Sequence, residues 1–331
     1  MGSITIYKVE PYNSTYYRIF SGVYNDFRQN AATDYNFELS PLEYDKFIKS
    51  IEQGLIHCLI LFEDNIPTGF LVYTTLISES LELNIIHCIG TENINAKRKL
   101  LLEKFIEINK RLMREKVVTY PMLGKQSSFV QDILEYGFKT VNTSVMVFNL
   151  TDITSINKTK EMYVPELSKE YQITNWQTTY FKEAAEVIHQ AFKDSSDALF
   201  DNRFKSYNGS RDILEKITEN IYGQFLPGIT KVLLYKRRPV AFCFANLTNN
   251  EIANVPIVAV LKKHRHKGFG KILLKRLVDD LFNSAISGGW GLKELNASCD
   301  SDNIAAVNMY TANGFTESYS YPQAYHKVIG T

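Results

Sequence analysis

The sequence has no CxxC pair: its four cysteines, Cys58, Cys88, Cys243 and Cys299, are scattered through apolar, strand-like runs. That spacing offers no redox or zinc motif and fits buried, reduced thiols. An excess of charge of one sign is also missing. Lys and Arg number 37 against 36 Asp and Glu, a formal net charge of +1, so nothing global draws the chain to nucleic acid or to an anionic membrane. No apolar run approaches the length of a bilayer span. The opening residues, MGSITIYKVE, lack the basic and apolar regions of a signal peptide, and Ile6 stands where N-myristoylation needs Ser or Thr. A cytoplasmic location is the expectation. Neither a G-x-G-x-x-G fingerprint nor a G-x-x-x-x-G-K-[ST] phosphate loop occurs.

What is present is enough chain for two domains, 331 residues, with 45% apolar residues to fill their cores. Residues 151–170 are polar and weakly periodic and read as a linker. On either side the order of elements repeats, which predicts domains over 1–150 and 171–331. Each half begins with a strand and helices and continues with three strands. In the first half these are HCLILFED, PTGFLVYTT and LELNIIHCI; in the second, KVLLYKRR, PVAFCFANL and ANVPIVAVL. A helix, a strand and a helix ending in Gly-Phe follow, at Gly137-Phe138 and Gly314-Phe315. The first half then closes with the strand KTVNTSVMVFNL, and the second with a pair of strands over FTESYSY…YHKVI. The fold class expected is α/β, a duplicated unit with a mixed sheet.

The stretch VLKKHRHKGFGKILLKRL combines a strand end, a basic turn with Gly268 and Gly270, and a helix. Amides at a helix start lack intrahelical partners and carry the positive end of the helix dipole. Glycine lets backbone approach a phosphate closely. The turn is thus a candidate diphosphate cradle. Arg265-His266-Lys267-Gly268-Phe269-Gly270 resembles the R/Q-x-x-G-x-G/A motif of GNAT N-acetyltransferases. Asn303-x-x-Ala306-x-x-x-Tyr310-x-x-x-Gly314-Phe315 resembles that family's second signature, in the right order and at the right separation.

The resemblance implies two tandem GNAT-like domains, each a mixed, mostly antiparallel sheet flanked by helices, with acetyl-CoA as cosubstrate and no metal. Amides of about 266–271 would hold the CoA diphosphate, with Arg265, His266, Lys267, Phe269 and Lys271 around them. Val258 and Val260 would pair with the pantetheine arm, and amides there would stabilise an oxyanion. The fourth and fifth strands of the domain would splay apart. Tyr310 would protonate the departing thiolate. Asn303 either contacts the cofactor or caps its helix.

The general base is open. Asn254 stands where some members of the family carry glutamate, which leaves Glu251, Asp300, Asp302 or a water relay. Cys299 reads as a packed thiol rather than a nucleophile. His264 and His266 read as solvated residues on the phosphate side, and His57 and His87 as satisfied core histidines. In the first half, Asn93, Ala96 and Arg98 align with Arg265, Gly268 and Gly270, while Gln126 and Ile133 replace Asn303 and Tyr310. That half is expected to be degenerate.

The function implied is transfer of acetyl to a primary amine of a small molecule or peptide. Asp194, Asp197 and Asp201 lie on an acceptor-facing segment that would suit a cation. Two alternatives stay open, an acyl-CoA sensor without turnover and an aminoacyl transferase of the cell-wall type. Partners would be the amine acceptor, without nucleic acid or membrane, and a homodimer is left open.

Overall fold

The computed structural model describes residues 5–37, 40–75, 80–152, 157, 166–289 and 291–327. Two compact units divide the chain, Met1–Val141 with Tyr321–Thr331, and Asn142–Ser320.

In the first unit, strands β1 (Tyr7–Pro11), β2 (His57–Glu63), β3 (Ile66–Thr74), β4 (Leu81–Cys88) and β5 (Val118–Pro121) lie side by side in chain order. Pairs are antiparallel except β4 with β5. Strand β2 is an almost unbroken apolar run because both faces of the sheet are covered. Alternation sorts its side chains. Cys58, Ile60 and Phe62 pack with Phe20, Tyr24 and Phe27 of α1 (Tyr17–Tyr35) and Phe47 of α2 (Tyr44–Glu52). Leu59 and Leu61 meet Leu101, Leu102 and Phe105 of α3 (Ile94–Asn109). Met113 of α4 (Leu112–Glu115) and Ile133 of α5 (Val130–Glu135) complete that face.

The second unit opens with residues 142–149 of β6 (Lys139–Asn149), then β7 (Tyr171–Asn175), α6 (Phe181–Phe192), α7 (Asp197–Phe200) and α8 (Tyr207–Thr218). Strands β8 (Gln224–Phe225), β9 (Lys231–Tyr235), β10 (Arg238–Cys243), β11 (Asn246–Leu247), β12 (Ile252–Asn254) and β13 (Val258–Val260) follow. The remaining elements are α9 (Phe269–Gly288), β14 (Glu294–Asp300), α10 (Ile304–Ala312) and β15 (Thr316–His326). Strands order as β7–β9–β10–β13 in one sheet and β6–β14–β12–β11–β8 in another. Helices α6 and α8 bury Val187, Ile188, Ile213 and Leu214 against Val232 and Phe242. Helix α9 buries Leu273, Leu274, Leu277 and Leu281 against Leu233, Ala241 and Leu295.

The closing strands depart from the sequential reading. Residues 143–149 of β6 pair antiparallel with Asp300–Glu294 of β14, inside the second unit. The end of the chain does the converse, with Gln323–His326 of β15 pairing with Pro121–Val118 inside the first unit. The hydrophobic pattern of a strand sets which face is buried, not which neighbour it pairs with, so this exchange left no mark in the pattern. The expected closing pair over FTESYSY…YHKVI is one strand, β15, over its described residues. Pro322, which has no N–H to give, lies beside the change of unit at 320/321 and accepts a bond from the Met122 amide through its carbonyl (2.9 Å). Most of the expected linker, residues 153–156 and 158–165, lies outside the described residues. Among the described residues no helix is long and apolar enough to cross a membrane. Within that same set, no group of three or more His, Cys, Asp or Glu is arranged to hold a metal ion.

Candidate active site

The run ANVPIVAVL, read as one strand, is broken in two, and the break makes the site. Strand β12 pairs parallel with Glu294–Asn296 of β14, and the last bond of that ladder runs from the Val255 amide to the Asn296 carbonyl (2.8 Å). Pro256 comes next and offers no N–H, so the ladder stops. Strand β13 then pairs with β10 in the other sheet, Ala259 opposite Phe242. The fourth and fifth strands of the unit therefore splay, and a cavity of about 870 Å3 opens between them, within the about 300–1,000 Å3 usual for ligand sites. Val258 and Val260 line one side of it, and Ser298, Cys299 and Asp300 the other.

Backbone alternation fixes what the open edge of β13 presents. The Ile257 carbonyl accepts from the Phe244 amide and the Leu261 amide donates to the Val240 carbonyl, so the odd-numbered residues face β10. Val258 and Val260 face the other way. The Val260 carbonyl is taken by Arg265 Nε (3.0 Å). What remains on that edge is the Val258 N–H and C=O and the Val260 N–H.

The basic turn borders the same cavity. His266 and Gly268 adopt left-handed backbone, φ 62° and 77°. At Gly268 the conformation alone selects glycine, because a Cβ there would meet nothing within 4 Å. At Gly270 the reason is space: a Cβ would lie 2.9 Å from Met309 Sδ of α10. Arg265 braces the turn, its Nη2 donating to the Ala191 carbonyl near the end of α6 (2.8 Å). Arg265, His266, Gly268, Phe269, Gly270 and Lys271 all border the cavity. Lys267 does not; its ammonium sits over the Tyr171 ring, 5.9 Å from the centroid. His264 differs from the expectation of a solvated residue. It is 4% exposed, shares a 2.9 Å hydrogen bond with the Tyr171 hydroxyl through Nδ1, and its Nε2 is buried without a partner. The rings of Tyr171 and Tyr235 and a short turn bury it, which no periodicity announces.

Helix α10 brings Asn303 and Tyr310 to the opposite wall. Asn303 caps the helix, its Oδ1 accepting from the Ala306 amide (3.1 Å), and borders the cavity as well. Tyr310 is 4% exposed, packs on Phe315, and its hydroxyl makes no hydrogen bond among the described residues. Burial, with smaller contributions from Cys243, Cys299 and Asp197, pushes its pKa well above the usual phenol range.

The acids separate sharply. Asp197 and Asp300 line the cavity. Asp201 is structural: it accepts from the Arg203 amide (3.0 Å) and pairs with the Arg203 guanidinium (2.5 Å). Asp194 and Asp302 are exposed and lie off the cavity lining, and Glu251 pairs with Lys293 at the surface (2.7 Å). All four cysteines are buried and free. Cys299 borders the cavity, but burial, with Asp300 and Asp197 nearby, pushes its thiol up to about 11, an inert state at neutral pH. The stacked rings of Phe192 and Phe204, centroids 4.7 Å apart, form a wall that the sequence reading did not single out. Phe192 belongs to the apolar stripe of α6, and a stripe does not show that its last member overhangs a cavity.

In the first unit the aligned positions serve packing. Arg98, aligned with Gly270, is 4% exposed, with its guanidinium near the Phe129 ring and Asn95 Oδ1. Gln126 is buried and accepts from the Tyr120 hydroxyl, and Ile133 sits in the core. His87 is satisfied as expected, by Tyr35 (2.8 Å) and Asp26 (3.0 Å).

The profile of the acetyltransferase (GNAT) family matches residues 172–315. No curated protein matches the chain in sequence. Among solved structures, the chain is similar to a GCN5-related N-acetyltransferase from Sphaerobacter thermophilus, at 12% identity and a TM-score of 0.63, over 96% of this chain and 95% of that one. It is similar to a tandem GNAT protein from the clavulanic acid biosynthesis pathway, at 10% identity and a TM-score of 0.58, over 98% and 100% of the two chains. A GCN5-related glucosamine N-acetyltransferase region in a fungal multi-domain GH3 β-N-acetylglucosaminidase aligns at 11% identity and a TM-score of 0.61. That match covers 98% of this chain and 38% of the fungal one. Residues 172–315 are thus a domain of the GNAT acetyltransferase family, in a chain with the fold of a tandem GNAT protein whose first half is degenerate at the motif positions.

Proposed function

We propose that the chain is an acetyl-CoA-dependent N-acetyltransferase whose second unit passes acetyl to a primary amine of a small molecule or peptide by direct attack. The observation that carries this is the break at Pro256, which sets an open strand edge beside a glycine-bearing helix start in one cavity. Acetyl-CoA supplies the acetyl group already activated as a thioester. The residues present fit it: the space above Gly268 is open, and the first amides of α9 have no intrahelical acceptor. Those amides, with Arg265 and Lys271 nearby, hold the diphosphate. The edge groups of Val258 and the Val260 N–H bind amide groups as a neighbouring strand would.

Tyr310 is the proton donor. Burial keeps it protonated at neutral pH. In water so weak an acid would not protonate a thiolate of pKa near 8.5. At the wall of the same cavity, burial first and then the charges of Asp300, Asp197 and Glu317 raise the Cys299 thiol to about 11, however, and a thiolate released into that cavity is raised in the same direction. The gap between donor and acceptor narrows accordingly.

The test is thermal unfolding with and without acetyl-CoA. Ligand at a hundredfold its Kd adds about 2.7 kcal/mol, enough to move the midpoint by several degrees. Gly268→Glu is the control: its side chain meets open space, so it folds at a backbone cost of about 1–2 kcal/mol while placing negative charge in the cradle. A shift in wild type that is lost in the variant, followed by thiol release with an amine panel, is expected. No wild-type shift at millimolar ligand overturns the reading.

A further inference from the structure

We propose that Asp197 and Asp300 form the seat of the acceptor's ammonium group, and that Asp197 is the base that frees the amine for attack. This rests on the acetyl-transfer reading above. Asp197 begins α7 and Asp300 ends β14, and the Ser196 hydroxyl donates to Asp300 Oδ2, drawing the α6–α7 turn onto the strand end. Both carboxylates border the cavity, and among the described residues neither has an ion-pair partner. Arg203, the cation of the next turn, is held by Asp201 (2.5 Å) and Asp212 (3.0 Å). Two uncompensated acids so placed repel each other, and a cation between them removes the cost.

A second observation points the same way. Tyr310, 4% exposed and with its hydroxyl free of any hydrogen bond among the described residues, borders the same space and feels the Asp197 charge. The titratable groups around Asp197 are Asp300 and Cys299 on β14 and Tyr310 on α10. Burial first, and Asp300 second, raise the Asp197 carboxyl above the usual carboxylate range, toward the strength a base needs. The Phe192–Phe204 wall adds a surface for an apolar body. The acceptor class is therefore a primary amine on an aromatic or aliphatic body, with no anionic group beside the nitrogen.

The proton balance closes within the chain. Asp197 takes one proton from the ammonium; the neutral nitrogen forms the C–N bond as the C–S bond breaks. Sulfur takes the Tyr310 proton, and the second nitrogen proton returns to the phenolate. Asp197 then releases its proton to solvent.

The experiment uses the full chain, acetyl-CoA, and phenethylamine and phenylalanine as probes matched except for a carboxylate, followed by thiol release. Phenethylamine is expected to be acetylated with kcat/KM at least about tenfold above phenylalanine, the latter weakened by like-charge repulsion. Asp197→Asn should keep the wild-type thermal shift with acetyl-CoA yet lose about 10²-fold or more in kcat/KM at pH 7. Its remaining rate should then climb tenfold per pH unit toward the amine's own pKa, while wild type stays level over that range and Asp197→Glu recovers part of the loss. Equal use of the two probes, or no turnover of phenethylamine by a chain that shows the acetyl-CoA shift, overturns the acceptor assignment. An Asp197→Asn profile parallel to wild type overturns the base. A wild-type chain without the acetyl-CoA shift overturns the acetyl-transfer reading itself, and this proposal with it.

Discussion

Replacing Tyr310 with Phe separates packing from the proposed chemistry, because the ring and the hydroxyl of this side chain have different surroundings. The ring belongs to the core of the second unit and stacks obliquely on Phe315, centroids 5.3 Å apart. The residue is 4% exposed and borders the cavity, and its hydroxyl bonds to no group among the described residues. Phe keeps the ring and removes a hydroxyl that folding leaves at the cavity wall without a partner among the described residues. A fully buried, unpaired hydroxyl costs about 1–3 kcal/mol and one at a cavity wall costs less, so Tyr310→Phe should be neutral or stabilising by at most about 1 kcal/mol. At about 2–4 °C per kcal/mol for units of this size, the melting midpoint should stay level or rise by a few degrees. Turnover should move the other way. A positioned proton donor contributes about 10²–10⁴-fold, so thiol release with the best amine of a panel should fall by at least 10²-fold, with acetyl-CoA affinity unchanged. Loss of stability with full turnover would mean that the hydroxyl serves structure alone, and the mechanism would need another acid.

Gly270→Ala sets a Cβ 2.9 Å from Met309 Sδ, on a flexible side chain that can give way, and it gains about 1 kcal/mol of helix propensity; it should fold within about 1 kcal/mol of wild type and still respond to acetyl-CoA. Gly270→Val adds branches toward Val258 and Val260 as well, so it should lose about 1–3 kcal/mol and the response, and a Val variant that binds normally would contradict the close approach of α9 to α10. Stability should also fall in mild acid. Burial lowers the pKa of His57, His87, His264 and His326, so the fold prefers their neutral forms. That stability is complete above the unfolded value near 6.5 and is lost as pH falls through the lower folded values. Asp197, raised rather than lowered, runs the other way, but as one group against four. Melting midpoints that do not drop between pH 7 and pH 5 would contradict the burial of these rings.

The parts of the site visible in the sequence are those where backbone conformation dictates residue type. Gly268 and Gly314 take positive φ, and Asn303 caps a helix, so each is legible as a letter at a fixed spacing. Properties set by distant partners were not legible. Nothing local distinguishes Asp197, which faces the cavity, from Asp201 four residues on, which holds Arg203. His264 and His266 flank the same arginine, yet one is buried against Tyr171 and the other exposed. Pro256 is an intermediate case: its missing N–H was there to be read, but the apolar run around it reads as a single strand until the partners of its two halves are known.

The exchanged strands bear on how such a chain is made and how it can evolve. Residues 142–149 leave the ribosome long before β14 exists to receive them, while the edge of β5 stays bare until residues 323–326, some two hundred positions later, have been made. An edge waiting that long is an aggregation hazard that a nascent chain must have shielded. A gene cut between the halves would give each product the strand that the other requires. Because β6 pairs directly with Ser298, Cys299 and Asp300, the second unit would lose the strand that backs its own cavity. The first half can therefore change at every motif position and still be kept by selection, since the second unit is not complete without residues 142–149.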